Sequence, residues 1–297
     1  NRPKTHLSFM NFSKYKANNQ SNPTSAILGF LFIFLISVFL GWLYNLTYLI
    51  PIIYFNVVIT VALGFAVAFS VQIAGKIFKI TTRARRLYLT IFSLITVYYS
   101  HWIAFIIFTT TGSIPNASEF ISYFFYPNNF FLIIGEINTY GTWSFGTMEA
   151  PVNGSILTAI WLIEAIIIFF IAIRYTLLFP ENPYSEKFNK WYPKLTLDYD
   201  FNSFYSEDKI ITNLKEQGID LISNAEKGLA YKHSKISIFF LKNEENQYLS
   251  IDNIFIEVRN KSKKTITPML SPIKITNTDA QQLITKFGTK KAFYFDF

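Results

Sequence analysis

Four long apolar runs limit what this chain can become. They cover about residues 26–44, 51–74, 87–108 and 155–173. A bilayer's hydrocarbon core takes roughly 17–25 apolar residues as helix, and each run meets that length. The chain of 297 residues is 51% hydrophobic and 19% aromatic, too apolar for an ordinary soluble domain. The pattern predicts an α-helical membrane protein, a four-span transmembrane bundle followed by a small soluble α+β domain. The first run is long for a signal peptide and no small-residue cleavage site follows it, which argues against a secretory leader.

Charge supplies orientation. Net charge is +8, and the excess sits beside the apolar runs. Arg2, Lys4, Lys14 and Lys16 precede the first run without an acid, and Lys76, Lys79, Arg83, Arg85 and Arg86 fill the second connection. The connection 109–154 carries Glu119, Glu136 and Glu149 and no base. The segment 175–297 is nearly neutral, with 17 basic and 15 acidic residues. The positive-inside rule predicts a basic cytoplasmic tail over 1–25, a membrane domain over 26–174 with an outer loop over 109–154, and a cytoplasmic C-terminal part. Basic charge placed this way marks topology and argues against nucleic acid as a partner.

Small residues predict where helices approach closely. The first run carries Ser37 and Gly41, and the second Gly64, Ala66, Ala68, Ser70 and Ala74. These serve packing within the bundle or a face for another subunit. The outer loop holds EFISYFFYPNNFFLII, with Phe120, Tyr123, Phe124, Phe125, Tyr126, Phe130 and Phe131 in sixteen positions. Such a segment lies on the outer membrane surface or docks an outer partner. Asn116 or Ser118 is expected to cap a short helix before Pro127.

The remainder reads as a linker over 175–200, rich in proline, and an α+β domain over 201–297. Ser206 predicts a helix cap and Gly218 its stop. Strands are expected at 219–222, 229–232, 235–241, 247–251 and 254–258, with Asn243–Asn246 as a hairpin loop. Thr278 to Gly288 reads as a second capped helix, and the final KAFYFDF as a strand. His233, among basic neighbours, is expected on the surface.

Candidate chemistry is sparse. The chain has no cysteine and three histidines, which disfavours a disulfide framework or a metal site. No phosphate-loop, dinucleotide, nucleophile-elbow or metalloprotease motif occurs, so neither cofactor nor enzymatic activity is expected. The ionisable group that demands explanation is Glu164, in the middle of the fourth run. A mid-membrane acid costs on the order of 2.5–3.5 kcal/mol on insertion scales. At about 1.5 Å per residue, His101 lies roughly 10 Å and Glu164 roughly 13 Å from the outer ends of their runs. Asn56 falls in the same half and Gln72 deeper. These four are candidates for a polar contact or proton coupling. A Glu–His or Glu–Tyr bond, or a protonated Glu164, would clasp helices; a relay would carry protons.

The stretch GWLYNLTYLIPIIYFNVVITVALGF, Gly41–Phe65, has a tyrosine-rich turn and a proline at the head of the second run. Together with the overall layout it resembles the TssN-type membrane subunit of the type VI secretion apparatus in Bacteroidota. The resemblance implies a non-enzymatic scaffold in the bacterial inner membrane, within an envelope-spanning complex. Its expected partners are other membrane-complex subunits as homo- or hetero-oligomer, the lipid bilayer and cytoplasmic baseplate-like proteins. The alternative is a small proton- or ion-coupled transporter using Glu164 and His101.

Overall fold

The computed structural model describes residues 12–17, 23–49, 53–142, 151–179, 181–257 and 263–291. It divides into two compact units, residues 18–181 and residues 1–17 with 182–297.

The first unit is helical. Helices α1 (Pro23–Asn45), α2 (Ile53–Ile77), α3 (Arg83–Thr111) and α6 (Gly154–Leu178) are each long and apolar enough to cross a membrane. Close approach depends on glycine. A Cβ at Gly41 of α1 would sit 2.3 Å from the Val97 carbonyl of α3, and one at Gly64 of α2 would sit 2.8 Å from Ile171 of α6. Ser37 and Ala74 are fully buried and Ala68 nearly so, whereas Ala66 and Ser70 are half-buried. The Ser70 hydroxyl bonds its own helix at the Ala66 carbonyl. Val67, Leu94, Val97, Ile168 and Ala172 fill the space between helices.

The connection after α3 holds the short helix expected before Pro127 and a second one after it. Gly112 (φ 68°) ends α3 in the left-handed conformation. Asn116 then caps α4 (Ala117–Phe125), its side-chain oxygen accepting from Glu119 N at 2.9 Å. Helix α5 (Phe130–Tyr140) follows after a short turn. Phe120, Tyr123, Phe124 and Phe130 pack onto α3 beside Ile103, Ala104 and Ile107, so they are not a free docking face. Phe125, Tyr126 and Phe131 remain exposed. Residues 143–150, with Glu149, lie outside the described residues.

The second unit is a five-stranded antiparallel sheet in the order β6-β5-β4-β3-β7, with a separate small hairpin. The hairpin pairs β1 (Tyr184–Ser185) with β2 (Lys190–Trp191). In the main sheet, β3 is Lys194–Leu197, β4 Lys232–Phe239, β5 Asn246–Glu257, β6 Lys263–Thr276 and β7 Thr289–Lys291. Helices α7 (Glu207–Gln217) and α9 (Asn277–Phe287) contribute Ile210, Leu214, Ala280 and Leu283 to the core with Ile236, Ile238, Leu249 and Ile251. A short helix α8 (Asp220–Ser223) lies where a strand was expected at 219–222.

Several expectations are corrected. The proline-rich segment is part of the folded unit, because β1, β2 and β3 lie within residues 184–197. The expected strands 247–251 and 254–258 are one strand, β5, with an irregular register after Leu249. Residues 229–232 form a tight bridge leading into β4. Strand β6, not expected from the sequence pattern, contains Pro268 and Pro272. It is an outer strand of the sheet, where a missing N–H is tolerated. The α9 cap is Thr276, two residues before Thr278, in a reciprocal box with Asp279. Residues 292–297, most of the expected last strand, lie outside the described residues. The hairpin loop falls at residues 243–245 as expected, with Asn246 already the first residue of β5, and buried Gln247 holds it. Its amide donates to the Leu241 and Glu244 carbonyls at 3.0 and 2.9 Å, and its oxygen accepts from Leu241 N at 2.8 Å.

Residues 12–17, read as part of a tail, belong to this sheet unit. Tyr15 N donates to the Pro272 carbonyl at 2.7 Å and Lys274 N to the Ser13 carbonyl at 2.8 Å. The segment thereby covers the β6 edge, and Phe12 is buried in the core. Phe12→Ala should destabilise the sheet unit by about 3–5 kcal/mol. Denaturant unfolding of the purified full chain, followed by limited proteolysis of the 182–297 region, measures it.

His233 is buried, contrary to its expected surface position. Its Nδ1 lies 3.2 Å from the Leu229 carbonyl and its Nε2 3.6 Å from Asp200. Lys235 Nζ bonds the same Asp200 oxygen at 2.6 Å. That bond holds the Asp200 carboxyl below its ordinary range, against an opposing effect of burial. A carboxyl with a depressed folded pKa stabilises above its unfolded value of about 3.9 and loses that contribution as pH falls further. Asp200→Asn should therefore flatten the dependence of stability on pH below about pH 4 while lowering stability at neutral pH. Denaturation midpoints across that range test it.

Candidate functional site: a polar clasp inside the helix bundle

Glu164 lies on α6 with most neighbours apolar, and its bond reaches across the bundle. The Tyr44 hydroxyl at the end of α1 bonds the Glu164 carboxyl. The same hydroxyl lies 2.7 Å from the Thr60 hydroxyl of α2, and Thr60 in turn donates to the Asn56 carbonyl at 2.7 Å. Three helices are thus joined through one phenol oxygen. The fourth joins through ring contact: His101 of α3 meets the Tyr44 ring edge-on with centroids 4.9 Å apart. His101 is itself buried and stacked beside Phe105.

Proton counting restricts how this chain of hydroxyls can be ordered. Each hydroxyl has one proton to give. If Thr60 donates to Asn56 and Tyr44 donates to Thr60, the Tyr44 oxygen is left to accept, and Glu164 must carry a proton to donate. If Glu164 is ionised, Tyr44 donates to it and Thr60 turns to Tyr44, which releases the Asn56 carbonyl. The first ordering satisfies every member and puts no charge among apolar neighbours, so it is the lower in cost. A carboxamide at 164 donates the same bond.

The expected group of four therefore divides. Glu164 and His101 meet at Tyr44, and Asn56 participates through its backbone carbonyl. Gln72 does not join them. It accepts from Arg86 Nη1 at 3.2 Å, towards the basic end of α3. The expected Glu–Tyr bond is to Tyr44, whose place at the end of the first apolar run resembles that of an ordinary interfacial aromatic and so does not mark it in the sequence. Other cross-helix bonds follow the same plan. Ser37 and Ser93 hydroxyls lie 2.7 Å apart, Ser100 donates to the Val38 carbonyl at 2.6 Å, and Thr90 lies 2.9 Å from Thr176.

Among the described residues, no three His, Asp or Glu side chains gather where they could hold a metal ion. No family model, curated protein or solved structure matches the chain.

Glu164→Gln should preserve the bundle, with thermal stability in detergent within about 1 kcal/mol of the parent, whereas Glu164→Leu should cost about 1–3 kcal/mol by stranding the Tyr44 hydroxyl. Infrared spectroscopy checks the proton: a protonated-carboxyl C=O stretch should be present in the parent and absent from Glu164→Gln.

Proposed function

We propose that this chain is a non-enzymatic structural subunit of an envelope-spanning secretion membrane complex, seated in the bacterial inner membrane with both ends of the helical unit on the cytoplasmic side. The observation that carries the scaffold reading is the filled bundle interior, where Val67, Leu94, Ile168 and Ala172 pack between helices and polar groups bond one another. A permeation path needs a wetted lining, and a packed, cross-bonded interior instead favours a fixed anchor. Residues 12–17 and 182–297 also share one folded unit. The chain therefore leaves and re-enters that unit through four helices, an even number, which supports placing both flanks on one side. The basic residues at the α2–α3 connection support the cytoplasm as that side.

In this reading the sheet unit faces cytoplasmic baseplate-like proteins, and the resemblance to TssN-type subunits supplies the class of assembly. The second reading is proton coupling. Its motivating observation is the Thr60–Tyr44–Glu164 chain, whose two orderings differ by one proton on Glu164.

Purification from native membranes in mild detergent, followed by mass spectrometry, should recover a fixed set of other envelope proteins. Glu164→Gln should recover the same set. Isolation of the chain alone would count against the scaffold, and proton flux in proteoliposomes that Glu164→Gln abolishes would establish the second reading instead.

A further inference from the structure

The α4–α5 hairpin reaches deeper than a surface element can. The Tyr99 hydroxyl donates to the Phe124 carbonyl at 2.8 Å, and the Phe124 ring packs on Phe34 with centroids 6.1 Å apart. Tyr99 is twelve residues before Thr111, the last residue of α3, and two before His101. At about 1.5 Å per residue it lies roughly 18 Å along α3 from that end, against a hydrocarbon thickness of about 30 Å, and close to the level where His101 and Glu164 meet Tyr44. Phe130, the first residue of α5, packs on the same Tyr99 ring at 5.8 Å.

The far end of α5 lies nearer the outer ends of the long helices. Asn138, near the end of α5, donates to the Gly154 carbonyl at 3.1 Å and to the Thr158 hydroxyl at 3.0 Å, at the start of α6. Helix α4 therefore runs inward along α3, and α5 runs back out. Phe120 seats against Ile103 and Ile107 on the way in, and Ile137 against Trp102 and Ile106 on the way out.

The turn between them is poorly suited to lipid. Tyr126 is 73% exposed, Asn128 and Asn129 are exposed, and Asn129 adopts φ 57° without a side-chain cap bond. Acyl chains offer no partner to two amides. Non-helical backbone at such depth is tolerated where it is covered by protein or lines water. This turn faces outward from a filled bundle, so a wet cavity here would need walls from another molecule. An amide both donates and accepts, so the turn is complementary to itself across a two-fold axis. Exposed Ile121, Phe125, Phe131 and Leu132 frame it with apolar surface.

We propose that α4–α5 is a re-entrant hairpin whose Tyr126–Asn129 turn lies near the bilayer midplane and docks against the same turn of a second copy of this chain. The proposal rests on the four long helices crossing the membrane and goes beyond the scaffold reading by naming the surface and its partner.

The chain contains no cysteine, so single-cysteine variants report one position each. Asn128→Cys and Asn129→Cys are compared with Ser113→Cys, beyond the end of α3, in sealed membrane vesicles of both orientations. A membrane-impermeant maleimide should label Ser113→Cys from one side. It should label the two turn variants more than about tenfold slower from either side, as burial away from water requires. Oxidation should link Asn128→Cys or Asn129→Cys, and not Ser113→Cys, into a species of twice the chain mass. Labelling of both turn variants as fast as Ser113→Cys would overturn the re-entrant placement. Shielded turns that give no homodimer, or that link to a different protein, would overturn the second copy as partner. Failure to label Ser113→Cys from either side would instead overturn the membrane reading itself.

Discussion

Hydrocarbon offers no hydrogen-bond partner, and the helical unit, with four helices long and apolar enough to cross a membrane, is built to suit that deprivation. Four long helices satisfy their own backbones. The side-chain hydroxyls then face a choice between bonding the carbonyl of their own turn or reaching across to a neighbour. Ser70 takes the first course and Tyr44 the second. Cross-helix bonds are where register is specified, because Leu, Ile and Phe pack almost as well after a slide of one turn while a hydroxyl pair does not. The Tyr44–Thr60–Glu164 group holds three helices at one level, and Ser37–Ser93 and Thr90–Thr176 hold pairs at others.

The same constraint explains why an acid is tolerated at position 164. A lone carboxylate among apolar helices is costly, and an alanine there would remove the cost. A carboxyl bonded to the Tyr44 hydroxyl instead ends a chain of hydroxyls. Its worth is directional: it favours one arrangement of α1, α2 and α6 over neighbouring ones. Whether a proton ever moves along that chain is a separate property, which the hydroxyls make physically possible without making it necessary.

In the sheet unit the governing problem is the exposed strand edge. Strand β6 carries two prolines and lies outermost, and the segment 12–17 pairs along it with Phe12 as an apolar anchor. A segment before the first long helix thus completes a fold built mostly after the last one. Gln247 does a related task at the hairpin loop, its one buried amide satisfying three backbone groups. Both devices close off main-chain groups that water or another chain would otherwise take.

The sequence by itself determined the four long helices, the small-residue contacts at Ser37, Gly41 and Gly64, the Ser206 and Gly288 boundaries, and the level shared by His101 and Glu164. Those features follow from local period, length and residue chemistry. Tertiary structure decided that Tyr44 receives Glu164, that His233 is buried beside Asp200, that a proline-bearing stretch is a strand, and that residues 12–17 join it. It also decided that a second short helix, α5, follows the one expected before Pro127 and that both pack on α3. Each depends on groups far apart in the chain meeting: Tyr44 and Glu164 are separated by 120 positions. No local pattern encodes which of many aromatic side chains will arrive at Glu164.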